Sequence, residues 1–391
     1  EKESLRINPD GTFAHTLHSY PEDEYIVYVF FDNQTEINTY LSSSSSCRIV
    51  MLNQHTAEIH NKLYSLKERE LLWPFSNPPY IRDEKDIPIA RHNTKAEYNV
   101  GYREYLADRY GRYKMALSGI HVNYSFSDEL LKADFEISRM DNFAEYRNQK
   151  YLHLAEGLSA VGWIVTALTA ASPLMDSSYF EKGNTGTTVF NGMSSTRCSE
   201  LGYWNYFTPV FDYSDIRSYA ASIQKYVNEG LIYSPTELYY PIRLKSHGKN
   251  NLKRLRDEGV SHIELRMVDL NPLESSGLNL MDLQFIQLLI GWIMITPRRN
   301  LSTRDQVQAV QNFKSAAHYD LKTVKIVVPN GRASSVADEG IMIIDSMKDY
   351  YQDFDSDIMD ILDFEQEKFI NPETRYSWII RKEYEEDYVK K

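Results

Sequence analysis

The chain has 391 residues, 42% of them hydrophobic, and a formal charge of −12. That length supplies a sizeable core and suggests two or three domains, or one large catalytic domain with long excursions. The acidic balance argues against a general nucleic-acid binder, which needs a basic surface for phosphates, but leaves room for a local basic pocket for a small anion. The 29 tyrosines suit sites that are partly apolar and partly wet. Two distant cysteines, Cys47 and Cys198, make neither a disulfide framework nor a zinc set, and they fit a reducing cytoplasm. No signal peptide is visible, and a start in patterned sequence without Met suggests that residues precede Glu1.

In chain order, residues 1–50 read as strands, with "EYIVYVFF" (Glu24–Phe31) and "CRIVML" (Cys47–Leu52) β-branched or aromatic. The serine run "LSSSSSC" between them fits either a flexible loop or a polar strand. Residues 54–69 fit a helix, followed by the proline-rich loop "WPFSNPPY". Glu97–Ala116 reads as a helix and Leu117–Phe126 as an alternating strand. Residues 144–171 look helical. Within and just beyond them, Gly157–Met175 carries no charge over 19 residues, close to a membrane span. Its Gly, Ala, Ser and Thr content and Pro173 favour a buried core helix. Glu181–Asn205 reads as loop and 215–229 as helix. "SHIELRMVDLNP" (Ser261–Pro272) reads as a strand, and Leu278–Ile295 as a long buried helix. The tail from Asp345 is helical, with Asp349, Asp353, Asp355 and Asp357 on a solvated face. Antiparallel strands mixed with long helices indicate an α+β fold.

Side chains alternate faces along a strand. In Ser261–Pro272, Ile263, Leu265 and Met267 fall on one side, and His262, Glu264 and Arg266 on the other. In "GIHVNYSF", His121, Asn123 and Ser125 share a face; in "EKESL", Glu1 and Glu3 do. Each face alone is more simply a solvated surface, or hydrogen-bonded packing for the histidine. The repetition points to a divalent-metal site on a sheet, where carboxylates with one imidazole and few thiols suit Mg²⁺ or Mn²⁺ better than zinc. No Walker A sequence is present, and "SHGKNN" lacks its spacing. Any nucleotide is therefore expected to be held through metals and arginines. Arg197 beside Cys198 would lower the thiol pKa, but with no partner base a structural cysteine is the better reading.

Together, "EKESLRINPDGTFAHTLHS", "LLWPFSNPP", "YREYLADRYGRYKMALSGIHVNYSF", "AASPLM", "SSTRCSELGYWN", "ELYYPIRLK" and "IELRMVDLNP" resemble the bacterial glutamate–cysteine ligases. The similarity is strongest to the form at the N-terminus of the bifunctional glutathione-synthesising protein. The resemblance implies a glutamine synthetase-like α+β fold, a curved and mostly antiparallel sheet forming a funnel with helices outside. It implies one catalytic domain over 1–391, with 345–391 as an acidic helical tail, and no ATP-grasp domain for the second step of glutathione synthesis. The implied activity is ATP-dependent ligation of the γ-carboxyl of L-glutamate to L-cysteine through a γ-glutamyl phosphate, with Mg²⁺ (or Mn²⁺), in the cytoplasm. No nucleic-acid or membrane partner is expected.

By the same resemblance, Glu1, Glu3, Asp32, His121 and Glu264 match metal ligands. Arg103 and Arg266 match the arginines on the transferring phosphate, and Arg197 the residue for the glutamate α-carboxylate. Tyr102, Leu106, Tyr203 and Tyr239 match the cysteine pocket, and Asn123 is a polar neighbour of His121. One departure stands out. The family's next strand supplies an Asp and a Glu, and here the Glu position falls on or near Thr39. Glu36 lies one residue out of register, which would send it to the other face. One ligand is therefore expected to be missing. That motivates two rivals, a non-catalytic homologue that binds nucleotide or a partner, and a γ-glutamyl ligase for a different amine.

Overall fold

The computed structural model describes residues 1–16, 25–90, 96–181, 186–248, 251–329 and 331–389, and the backbone alone at 96–99. The first part of the chain forms β1 (Lys2–Ile7), β2 (Ile26–Tyr28), β3 (Gln34–Ile37), α1 (Ser45–Tyr64) and β4 (Leu71–Leu72). Next come α2 (Ala96–Tyr110), α3 (Arg112–Met115), β5 (Ile120–Tyr124), α4 (Asp128–Ile137), α5 (Phe143–Val161) and α6 (Trp163–Thr169). A β6 (Leu174–Asp176) and β7 (Thr188–Phe190) hairpin precedes α7 (Ile216–Asn228), β8 (Ile242–Lys245), α8 (Leu252–Glu258) and β9 (His262–Val268). The last part holds α9 (Leu280–Ile295), α10 (Thr303–Ala316), β10 (Lys325–Val327), β11 (Ala333–Ser335), α11 (Val336–Tyr351), α12 (Ser356–Ile370) and α13 (Tyr376–Tyr384).

Among the described residues the main sheet has seven strands in the order β2-β3-β1-β5-β9-β8, with β4 on the far end of β1. Every pairing in it is antiparallel, as an α+β sheet requires. One face of β8 and β9 is apolar. Ile263, Leu265 and Met267 pack there into the largest core cluster, with α5, α6, α9 and α10 side chains such as Leu158, Ile164, Phe285 and Phe313. The other face carries the charged residues, so helices on one side leave the opposite side for chemistry.

The uncharged stretch from Gly157 is core. Every residue from Leu154 to Ser178 is buried, and α5 and α6 meet at a 57° bend. Among the described residues no single helix is long and apolar enough to cross a membrane. Gly157 allows that packing, since a Cβ there would sit 2.3 Å from Ile293 Cγ2.

Several expectations need correction. "CRIVML" is not a strand but the first turns of α1, and the serine run is its start. The Ser44 hydroxyl caps the helix by accepting from Cys47 N at 3.4 Å. Leu52, Thr56, Ile59 and Leu63 then bury one helical face, so tertiary packing overrides β propensity. The strand read over 24–31 shrinks to Ile26–Tyr28, and Glu24 lies outside the described residues. The helix read over 97–116 breaks at Gly111, where φ is +86°. The loop read over 181–205 contains β7; residues 182–185 of it lie outside the described residues.

Candidate active site

Strand order alone sorts the charges. Reading across β3, β1, β5, β9 and β8 gives Glu36, then Glu3 with Glu1 just before its strand, then His121, then Glu264 and Arg266, then Arg243 and Lys245. Acids lie on one side and bases on the other, with His121 and Glu264 at the seam. The register aligns them, pairing Glu3 with Glu36, and Arg243 with Glu264. β5 has an irregularity between Ile120 and Val122, centred on His121. Such a bulge re-aims a side chain beside a site.

Ligand atoms of Glu1, His121 and Glu264 lie within 4.8 Å of one another. His121 Nδ1 meets the Glu1 carboxylate at 3.1 Å, and Asn123 Nδ2 donates to the other Glu1 oxygen at 3.0 Å. Backbone bonds fix the same pair, with the His121 N–H donating to the Glu1 carbonyl at 2.9 Å. Burial opposes charge on Glu1, but the His121 hydrogen bond holds its carboxyl below the ordinary value. Burial and then Arg266 push the His121 pKa below its ordinary value, so the imidazole is neutral at neutral pH. With Nδ1 donating to Glu1, Nε2 offers a lone pair and has no partner, although it is buried.

Glu264 is clamped at both oxygens, Oε1 by Lys245 Nζ at 3.1 Å and Oε2 by Arg266 Nη1 at 3.0 Å. Burial would raise its pKa, but Arg266, His121 and Lys245 bring it well below the ordinary value. Arg266 in turn stays protonated, since Glu264 outweighs the cost of its burial. On the acidic side, burial and the Glu1 and Glu3 charges push the Glu36 carboxyl up to about 7. Crowded carboxylates beside a neutral, orphaned imidazole nitrogen fit a hard divalent cation such as Mg²⁺ or Mn²⁺.

Beyond the seam, Arg197, Tyr203, Tyr239 and Arg266 line a small cleft of about 50 Å³ that is open to solvent. Arg197 is buried against the end of β9, its Nη1 donating to the Val268 carbonyl at 3.3 Å while Nε has no partner. Gly119 makes room for it, because a Cβ there would lie 2.4 Å from Arg197 Cζ. The segment bearing Arg197 is tied down by Asp269, which accepts from Ser172 Oγ at 2.6 Å, Ser195 Oγ at 2.9 Å and Ala171 N at 3.0 Å. Those bonds bring "AASPLM", "SSTRC" and "VDLNP" together in space. Tyr203 and Tyr239 meet edge to face at 4.8 Å. Leu106 and Tyr102 on α2 join the same apolar cluster.

A family model described as glutamate-cysteine ligase matches residues 1–231 and 206–316. The chain belongs to the glutamate–cysteine ligase family. It is 33% identical over 389 residues to the glutathione biosynthesis bifunctional protein GshAB of Listeria innocua, covering 95% of this chain and 50% of that protein. The Clostridium perfringens counterpart is 29% identical over 394 residues, with 95% and 48% covered. The chain thus spans about half the length of the curated relatives it matches. Its fold is that of glutamate–cysteine ligase from Francisella tularensis, crystallised in complex with AMP (TM-score 0.84, 19% identity, 99% of this chain and 85% of that one). A bifunctional glutathione synthetase from Pasteurella multocida gives a TM-score of 0.83 at 23% identity, covering 100% of this chain and 50% of that one.

Against the residues expected of a glutamate–cysteine ligase, the structure gathers Glu1, His121 and Glu264, with Glu3 on the adjoining strand position. Asp32 lies in the turn between β2 and β3, where its carbonyl accepts from Arg6 Nη2 at 2.7 Å. Glu3, Glu36 and Asp32 stand outside the converging trio among the described residues. Arg103 on α2 donates to the Ala90 carbonyl at 2.7 Å. Arg266 pairs with Glu264. Glu36 is the main correction. It is not turned away, since it pairs directly with Glu3 and its carboxyl feels Glu1 and Glu3. Lys245 and Arg243 were also missed, though "IRLK" alternates its two cations onto one strand face.

Proposed function

We propose that the chain joins the γ-carboxyl of L-glutamate to the amine of L-cysteine, with ATP cleaved to ADP and phosphate. The observation that carries this reading is the seam where Glu1, His121 and Glu264 converge beside Arg266, which also lines a cleft together with the buried Arg197. Glu1, Glu3, Glu36, His121 and Glu264 would hold Mg²⁺, with Asp32 at the margin. Bound Mg²⁺ supplies positive charge that screens the triphosphate.

The chain's own groups do the rest. Arg197 takes the glutamate α-carboxylate, which leaves the γ-carboxylate directed toward the seam. That carboxylate attacks the terminal phosphorus, the bond to ADP breaks, and a γ-glutamyl phosphate forms. Arg266 and Arg103 stabilise charge on the transferring phosphoryl group, a task suited to a guanidinium fork. Tyr102, Leu106, Tyr203 and Tyr239 seat cysteine, whose amine attacks the acyl carbon and releases phosphate. Asn205 keeps that wall in place, accepting from Tyr239 N at 2.8 Å and donating to Tyr110 Oη at 3.1 Å. Residues 1–391 act as one catalytic unit, in a reducing cytoplasm where both thiols stay free.

Phosphate release from ATP that requires glutamate, cysteine and Mg²⁺ together is the expected result, with Glu264→Ala as the inactive control. Release no greater than in that control would reject the reading. Glu36, paired with Glu3, is a candidate for the ligand expected to be missing, which speaks against a non-catalytic homologue.

A further inference from the structure

The geometry points to Lys245 as an exchangeable cation of this site. It holds Glu264 while the metal is absent, and it turns to the nucleotide's phosphates when a divalent ion takes the carboxylate. This inference rests on the metal and nucleotide reading above.

The argument begins with what each base is tied to. Arg243 lies directly across from Glu264 in the β8–β9 register, but its guanidinium is held elsewhere. Its Nε donates to the Leu238 carbonyl and Nη2 to the Thr236 carbonyl, both at 2.9 Å. Arg266 sits on the same strand as Glu264, two residues along, and is held by Oε2 at 3.0 Å. Lys245 differs from both. Its ammonium has one hydrogen-bond partner among the described residues, Glu264 Oε1 at 3.1 Å. It is the last residue of β8, the edge strand, and its side chain is 17% exposed against 3% for Glu264. A four-carbon stem at a sheet rim can swing where a bound guanidinium cannot.

The two oxygens of Glu264 are therefore both engaged by cations, while an oxygen of the same carboxylate lies within 4.8 Å of the Glu1 and His121 ligand atoms. A divalent cation coordinated there and an ammonium bonded to the same carboxylate repel one another at short range. The mobile partner is the one that leaves. Once released, it stands on the basic edge of the sheet with Arg243 and Arg266, where an incoming polyphosphate finds its only strand-borne cations among the described residues of that face. Metal entry and nucleotide entry are thus coupled through one side chain.

The test compares wild type, Lys245→Met and Lys245→Arg by Mn²⁺ titration, read by electron paramagnetic resonance without nucleotide. A second titration uses a non-hydrolysable ATP analogue at saturating Mn²⁺, and thermal unfolding checks each fold. Lys245→Met is expected to bind Mn²⁺ about three- to tenfold more tightly, because a competing charge is gone. The same variant should bind the analogue about tenfold more weakly, because a charge-assisted contact is gone. Lys245→Arg should move both values back toward wild type. Mn²⁺ affinity unchanged or weaker in Lys245→Met overturns the exchange, and unchanged analogue affinity overturns the phosphate contact. A wild type that binds no Mn²⁺ would overturn the proposed function as well, whereas wild-type binding without the opposite shifts would overturn Lys245 alone.

Discussion

Glu3 and Glu36 stand directly opposite each other on adjacent antiparallel strands. Like charges in that position repel, and the site accommodates them by keeping Glu36 protonated up to about pH 7. Between roughly pH 4.5 and 7 the folded protein binds a proton there that the unfolded chain has released. Stability from this group is therefore greatest at the acidic end of that window and falls as pH rises, by up to about 3 kcal/mol in total. Thermal unfolding in chelator should show the fall, and saturating Mg²⁺ should flatten it. Glu36→Gln should flatten it without metal; an undiminished slope in that variant would place the titrating group elsewhere.

Gly119 gives the Arg197 guanidinium its space. Gly119→Ala puts a methyl 2.4 Å from Cζ and 2.7 Å from Nη2, so the guanidinium must shift. The KM for glutamate should rise by about tenfold or more while stability drops only about 1–2 kcal/mol. Steady-state kinetics beside thermal unfolding separate the two effects. A variant that loses stability but keeps its glutamate KM would remove Arg197 from glutamate recognition.

The two thiols should behave differently. Cys47 is exposed and Cys198 is buried. Burial, with Asp269 adding to it, pushes the Cys198 thiol up to about 11 despite the adjacent Arg197. A chromogenic disulfide reagent at neutral pH should titrate one thiol in the native protein and both in denaturant. Rapid reaction of both in the native state would contradict this placement.

Lys368 on α12 is buried between two acids, with Nζ 2.6 Å from Asp282 Oδ1 on α9 and 2.8 Å from Glu365 Oε2. Burial, and then the Asp282 charge, raise the Glu365 pKa well above its ordinary value, so this carboxyl is protonated at neutral pH. Lys368→Met strands Asp282 in the core and should cost about 3–5 kcal/mol in denaturant unfolding. A loss below about 1 kcal/mol would mean that water reaches the cluster.

What was legible in the chain is what period and local chemistry encode. Alternation placed Glu264 and Arg266 on one face. The spaced aspartates of the tail are all exposed, but they do not form one helix face: Asp349 is on α11 and Asp357 on α12, while Asp353 and Asp355 lie in the break between the two helices. Glu36 was misread because its facing depends on pairing with Glu3, and counting gaps cannot supply that register. "CRIVML" misled because its propensity is local while the face that α1 buries is set by distant strands. The buried Lys368 had no local mark at all, since its partner Asp282 is 86 residues away. Asp269 and the Lys245 clamp were likewise invisible until strands met.

The bulge at His121 and the strand order around it have a kinetic consequence. The converging trio joins positions 1, 121 and 264, so no local segment assembles it. Contacts of such sequence separation come late in folding, after long loops have closed. Divalent-ion affinity should therefore appear in one step with the completed sheet during refolding, making a paramagnetic ion a reporter of native topology as well as of chemistry.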